Sequence, residues 1–200
     1  MPDTGAPWNI PYVASTDLVS DWPADSLALA NAIDAGLDAA GGLVDVKSAL
    51  FTGTQTNSTA AGANFAVTDL SITHTLADSS NKLIISAYFG EAASSEQRGG
   101  VGIAVADDGT LIGVGAADGV RSRVGAGGRV AGQTDGETVT MPSVTFVYEP
   151  GDTASHTYTV RAINIRGTTH TIYINRGETD TNAIGTGRAS SGFVIQEVKV

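Results

Sequence analysis

The stretch that decides the fold class is Ser143-Val-Thr-Phe-Val-Tyr-Glu-Pro-Gly-Asp-Thr-Ala-Ser-His-Thr-Tyr-Thr-Val-Arg-Ala-Ile-Asn-Ile165. Two runs rich in β-branched and aromatic residues flank the sequence Glu149-Pro150-Gly151-Asp152. β-branched and aromatic side chains favour strands, whereas proline, glycine and aspartate together favour a turn. The stretch therefore predicts two β-strands separated by a tight connection.

The same alternation of strand-like runs and turn signals extends over residues 67–200. Turn clusters such as Asp78-Ser79-Ser80-Asn81 and Asp107-Asp108-Gly109 separate the runs. The clearest runs are Leu70–Leu76, Lys82–Phe89, Val101–Ala106, Leu111–Val114, Ser143–Tyr148, His156–Ile165, Thr169–Asn175 and Phe193–Val200. Many short strands at this spacing predict a mainly β fold, an antiparallel β-sandwich or jelly-roll-like outer domain over 67–200.

One short amphipathic α-helix is predicted over residues 22–42. Pro23 suits a first helical turn, and Gly41-Gly42 suits a helix end. At 100° per residue, Leu29, Ile33 and Leu37 fall on one apolar stripe, so they are candidate oligomerisation residues. A helix of this length is marginal alone in water. Its stripe is expected either to pack on its own β domain or to meet copies of itself.

Residues 1–21 are predicted to be an extended N-terminal anchoring arm. Its three prolines disfavour helix and extend the chain before them. Trp8, Ile10 and Tyr12, with Trp22 at the helix start, are large apolar groups in a segment too short to form a core. They are candidate virion-anchoring residues, because aromatic anchors in a pre-extended segment lose little entropy on binding. The alternative is a disordered tail with incidental aromatics.

Two segments give weaker patterns. Residues 43–66 combine brief apolar runs with a Thr-, Asn-, Ser- and Gly-rich stretch, which predicts a linker or transition. Residues 115–136 are rich in glycine and contain Arg121, Arg123 and Arg129. They are compatible with one irregular strand pair or with a long functional loop.

Composition excludes several classes of function. The 200-residue chain has no cysteine, which excludes disulfides, thiol nucleophiles and cysteine metal sites. A net charge of −10 disfavours nucleic-acid partners and anionic membranes. No run is long enough for a membrane-spanning helix, so no membrane insertion is expected. The first residues lack a signal-peptide pattern, which predicts synthesis in the host cytoplasm.

The sequence contains none of the common local motifs for catalysis. No phosphate-binding loop and no G-x-S-x-G elbow occurs. His74, His156 and His170 lie in strand-like runs without metal-ligand spacing, so we expect structural or exposed histidines. Paired carboxylates could meet only in space, and a turn aspartate cluster lacks the D-x-D-x-D-G calcium pattern. We therefore predict no enzyme activity, no catalytic residues, no metal and no cofactor.

Both ends of the sequence resemble bacteriophage structural proteins. The start of many phage tail-fibre and minor structural proteins is similar to Pro7-Trp-Asn-Ile-Pro-Tyr12, Thr16-Asp17 and the Ala-rich segment from Asp21 to Ala30. The end of small head-fibre and tail-fibre knobs resembles Tyr158-Thr-Val-Arg161, Ile172-Tyr-Ile-Asn175, Gly187–Ser191 and Phe193–Val198.

This resemblance implies a homotrimer in the virion, with N-termini bound to another virion protein and β domains outward. The docking partner would be a tail adaptor, the baseplate or the capsid, and the outer domain would contact a host surface glycan or protein. We expect a short tail fibre or receptor-binding knob. The alternatives are a head fibre or capsid decoration protein that stabilises the capsid and, from another class, a surface-polysaccharide depolymerase.

Overall fold

The computed structural model describes residues 22–39, 42–96, 99–129, 139–180 and 187–200. The chain divides into two compact units, and residues 43–198 form the β unit. The described residues form these elements in order: α1 Trp22–Ala39, β1 Leu43–Phe51, β2 Gln55–Thr59, β3 Asn64–Thr75, β4 Lys82–Tyr88, β5 Ala92–Ser94, β6 Gly100–Asp107, β7 Thr110–Ile112, β8 Ala126–Arg129, β9 Ser143–Tyr148, β10 Ser155–Asn164, β11 His170–Ile174 and β12 Ser191–Val198.

Two antiparallel sheets form the body of the β unit. One has the strand order β1-β12-β4-β9, which we call sheet I, and the other has β3-β10-β6-β7 with β8 also paired to β6, which we call sheet II. The chain crosses between the two sheets from β1 to β3, β3 to β4, β4 to β6, β8 to β9, β9 to β10 and β10 to β12, whereas β6, β7 and β8 follow one another within sheet II. This interleaved order is the topology of a jelly roll, so the predicted fold class is confirmed.

The core lies between sheets I and II because both present their apolar residues to the same interior. Along β4, Leu83, Ile85 and Ala87 are buried while the residues between them are not. Along β10, Tyr158 and Val160 alternate in the same way at the start of the strand. This period of two is what half-buried strands require.

The two ends of the jelly roll differ in the length of their connections. At the turn end, the links β3–β4, β6–β7 and β9–β10 are short. At the loop end, a small third sheet of order β2-β11-β5 ties together the connections β1–β3, β4–β6 and β10–β12. An isolated pairing between Ala92 and Thr140 adds the connection that precedes β9. Short turns therefore close one end, and long loops gather at the other.

The segment 43–66, predicted as a linker, instead forms β1, β2 and the start of β3. β1 pairs with β12 along its length, and β2 pairs with β11. The strand β1 was not predicted because its pattern is inverted. Val46 and Leu50 point outward, whereas Asp45 and Lys47 point toward the interior side. All five residues of β2 are polar, so its composition does not indicate a strand. β2 is a strand because its backbone pairs with β11.

The predicted helix is present as α1, an 18-residue element. Pro23 in its first turn is the position that proline tolerates in a helix. Leu29 of the predicted stripe is half-buried, whereas Ile33 is 44% exposed. Leu27, which the sequence places off the stripe, is 62% exposed. None of the described helices is long and apolar enough to cross a membrane.

Candidate functional site

A histidine–carboxylate cluster lies at the turn end. His156 Nδ1 is 2.9 Å from Asp107 Oδ1, and its Nε2 is 3.0 Å from Asp152 Oδ1. Asp108 Oδ2 lies 3.5 Å from the same Nδ1. Antiparallel pairing of β6 with β10 brings Asp107 beside the start of β10. The hydrogen bonds that the ring donates to Asp152 and then to Asp107 raise the pKa of His156, and burial opposes them.

Tyr148 connects this cluster to the other sheet. Its hydroxyl donates to Asp107 Oδ2 over 2.8 Å, so β9 of sheet I is joined to β6 of sheet II. Burial, followed by the hydrogen bond to Asp107, raises the pKa of Tyr148 to about 12. The tyrosine therefore keeps its proton at physiological pH and acts as a hydrogen-bond donor between the layers.

The chemistry open to this cluster is limited by its own hydrogen bonds. Ligand atoms of Asp107, Asp108 and His156 converge within 4.8 Å, a spacing compatible with a cation. A metal ligand must be a neutral imidazole nitrogen, yet both nitrogens of His156 face carboxylates and its pKa is raised. In this arrangement His156 contacts carboxylates through both ring nitrogens, which suits a structural link between β6, β10 and the β9–β10 turn.

A second histidine–carboxylate pair is buried at the same end. Glu197 of β12 is 1% exposed and accepts hydrogen bonds from Ala77 N at 2.8 Å and Asn81 Nδ2 at 2.6 Å. Its other oxygen is 2.9 Å from His74 Nε2 on β3. Buried carboxylates require this degree of pairing. The network joins sheet I to sheet II and to the β3–β4 turn.

Two buried asparagines organise the loop end. Asn164, at the end of β10, donates to Thr59 O and Thr168 O, and its Oδ1 accepts from Arg166 N. Asn175, after β11, adopts φ +60 and donates to Phe51 O and Gly53 O. Both asparagines are fully buried. Each fixes a loop to a neighbouring strand through backbone carbonyls, so these loops are preorganised.

A groove of about 610 Å³ opens beside Asn164, whose backbone carbonyl accepts a hydrogen bond from the lining residue Ser122. Its walls come from three connections, represented by Ala61-Gly62, Val120–Val124 and Ile165–Gly167. The lining is mainly apolar, and its charged residues are Arg121 and Arg166. Arg121 also pairs with Asp118 at 2.8 Å, and Arg166 lies 3.6 Å from Glu96. Concave, mainly apolar sites with few polar groups are typical of ligand pockets.

The outer face of sheet I, formed by the side chains that point away from the core, is apolar and nearly uncharged. Its exposed apolar residues, between 44% and 60% accessible, are Leu43, Val44, Val46, Leu50, Tyr88 and Val147. Lys82 is the one charged residue among the outward positions of these four described strands, and it pairs with Glu149 at 2.8 Å. An exposed apolar patch of this kind marks an interaction surface.

The site residues predicted from the sequence have different outcomes. Trp8, Ile10 and Tyr12 lie outside the described residues, and so do the side chains of Trp22 and Leu37. Leu29 and Ile33 lie on α1 as predicted, but their role in oligomerisation stays a prediction. His74 and His170 are buried, and His156 is partly buried. Sequence reasoning missed the two histidine–carboxylate networks, because Asp107 and Glu197, the partners on other strands, lie 49 and 123 residues from their histidines.

Comparison with known proteins gives structural matches alone. No family model matches the chain, and no curated protein is similar to it. Among solved structures, the chain is similar to one described as the infectious bursal disease virus Gx strain, with TM-score 0.37, 11% identity, and coverage of 78% of this chain and 42% of that one. A VP2 subviral particle of infectious bursal disease virus matches with TM-score 0.25, 11% identity and coverage of 78% and 41%. The chain thus spans less than half of either matched chain.

Proposed function

We propose that this chain is a non-enzymatic virion structural protein, a short tail fibre or receptor-binding knob attached to a phage particle through its N-terminal segment. The observation that carries the proposal is the difference between the two ends of the jelly roll. The turn end is closed by histidine–carboxylate networks, whereas the loop end combines preorganised loops with an open groove. Rigid scaffolds commonly present binding residues on loops in this way.

The lack of free catalytic groups among the described clusters supports a binding role. His156 contacts carboxylates through both ring nitrogens, and Glu197 is saturated by three donors. A general base must reach a substrate proton, and neither group has such an approach. The resemblance of both chain ends to phage fibre proteins supplies the virion context.

Filling the groove tests the receptor-binding role. In Ala61→Trp, a large side chain would occupy the groove, because Ala61 forms part of its wall. We expect the purified protein to lose adsorption to host cells while its circular dichroism spectrum stays unchanged. Ser71→Trp is the matched control, since Ser71 is exposed on β3 of sheet II, away from that wall. Undiminished adsorption of Ala61→Trp would exclude the groove as the receptor site.

A capsid decoration protein is the second candidate, and the apolar outer face of sheet I favours it. A decoration protein must cover neighbouring subunits, for which an uncharged sheet face is suited. Quantifying the protein in purified particles separates the two functions. A copy number like that of a minor tail component supports the knob, whereas one comparable to the major shell protein supports decoration. Absence from purified particles would overturn both.

A further inference from the structure

The geometry points to the outer face of sheet I as the surface on which a second copy of this chain packs. This assigns a self-association face to the β unit and is independent of the receptor-binding role of the loop end. The face belongs wholly to β1, β12, β4 and β9, whose register is continuous from edge to edge.

The side chains of the face form aligned rows across the four strands. One row runs from Val46 through Gln196 and Ile84 to Val147. Two rows further along, Leu50, Gly192 and Tyr88 are neighbours. The Tyr88 ring lies over Gly192, because a Cβ added to this glycine would be 2.5 Å from the ring. The ring therefore leans across β12 toward Leu50, the partner of Gly192 on β1. Apolar groups thus lie in both rows, and the intervening row of Ser48, Val194, Ser86 and Thr145 carries no charge.

The pairing register of β1 determines that its large apolar residues point outward. A shift of one residue would bury Val46 and Leu50 and expose Asp45 and Lys47. The observed register is fixed by Phe51, which is buried, and by the irregularity between Leu43 and Asp45. The sequence thus keeps large apolar groups in water on a paired strand, an arrangement that is unfavourable unless the face is covered.

The area of the face matches what association of two copies needs. Its six exposed apolar side chains present roughly 500 Å², at the upper end of the largest patch on typical monomers. With the polar hydroxyls of Ser48, Ser86, Ser143 and Thr145 around and between them, the face approaches the ~800 Å² that each partner contributes to a standard interface. Two sheets can pack face to face at about 10 Å.

The charge of the chain favours another copy as the occupant of this neutral face. Each copy carries −10, so two copies repel wherever their acidic surfaces meet. Electrostatic complementarity guides many contacts between unlike proteins, but this face offers no unpaired charge to complement. A neutral apolar face is the surface on which like-charged copies can approach.

Placing a carboxylate on the face tests the proposal in the full-length protein. Val46→Asp and Val147→Asp each put like charges into the contact, so sedimentation velocity should show association weakened by about tenfold or more. Ser71→Asp is the control, because Ser71 is exposed on β3 of sheet II, away from this face and from the groove. The control should keep the wild-type mass. A wild-type protein that is monomeric at about 100 µM, or face variants that keep the wild-type mass, would overturn the proposal.

Cross-linking gives a second test that does not disturb the apolar residues. The chain has no cysteine, so Thr145→Cys on the face and Ser71→Cys on sheet II each create a unique thiol. A short bis-maleimide should link copies of Thr145→Cys and leave copies of Ser71→Cys unlinked. Linking of Ser71→Cys alone would move the interface to sheet II and refute the assignment. Either result leaves the groove-filling test of receptor binding unaffected.

Discussion

Glu197 illustrates at the residue scale how a buried charge can hold two sheets together. Glu197→Ala would leave Ala77 N, Asn81 Nδ2 and the ring of His74 without their acceptor. Removing one partner of a buried, hydrogen-bonded charge commonly costs about 3–5 kcal/mol. We expect a decrease of this size in the free energy of unfolding, measured by urea denaturation. Glu149→Gln, on a side chain that is 64% exposed, is the control and should change stability by less than about 1 kcal/mol.

His156 should make the stability depend on pH in a defined direction. Because its folded pKa lies above its ordinary value of 6.5, its contribution is present below pH 6.5 and is lost as pH rises through the folded pKa. His156→Gln should therefore lower the free energy of unfolding by roughly 1 kcal/mol near pH 5.5 and by much less near pH 9. Thermal unfolding of both proteins across this range measures the difference.

His170 gives the free energy of unfolding a pH dependence of the opposite sign, which must be separated from that of His156. Burial lowers its pKa, so its neutral form is favoured and the stability it contributes falls as pH drops below 6.5. The difference between wild type and His156→Gln at each pH cancels this term, because both proteins keep His170. A difference that is constant with pH would contradict the assigned role of His156.

Gly113 allows the chain to turn directly after β7, where it packs against Phe146 of β9. It adopts φ +61, and an added Cβ would meet the Phe146 ring at 2.5 Å. Gly113→Ala combines backbone strain with overpacking, so we expect a loss of about 2–3 kcal/mol in denaturant unfolding. Gly115→Ala is a nearby control, since nothing lies within 4 Å of its added Cβ. Equal effects of both substitutions would contradict this account.

The strands that the sequence predicts are those whose side chains alternate in the ordinary way. Lys82–Tyr88 and Ser143–Tyr148 are found within a residue of their predicted bounds, because local composition and burial agree there. β1 and β2 were not predicted, since one is inverted and the other polar. β8, a four-residue glycine-rich strand, owes its place to pairing with β6. Strand pairing joins residues that are distant in sequence, so a local sequence pattern cannot predict it.

For the whole molecule, the sequence predicts the fold class better than it predicts where the candidate sites lie. The histidine–carboxylate networks and the loop-end groove unite residues from distant strands and loops, which no spacing motif records. The apolar face depends on knowing which side of β1 points outward. Composition alone correctly favours a β-rich chain, because β class follows from residue types summed over many short segments.

The β unit should fold without the preceding segment. Lys199 N donates to Gly42 O over 2.9 Å, and all three sheets lie within 43–198, so a fragment of residues 42–200 retains every described strand. Its core between sheets I and II is also complete. We expect its melting temperature to lie within about 4 °C of the full-length value, a shift that corresponds to roughly 1 kcal/mol or less.

The same fragment separates attachment from assembly. If residues 1–21 anchor the protein through Trp8, Ile10 and Tyr12, particles supplied with the fragment in place of the full chain should lack it. The fragment should still self-associate through the outer face of sheet I, because that face belongs to the β unit. Normal incorporation of a folded fragment would contradict the anchoring role, whereas a fragment that cannot fold would show that the N-terminal segment belongs to the structural core. Gel analysis of particles and sedimentation of the free fragment give the two measurements.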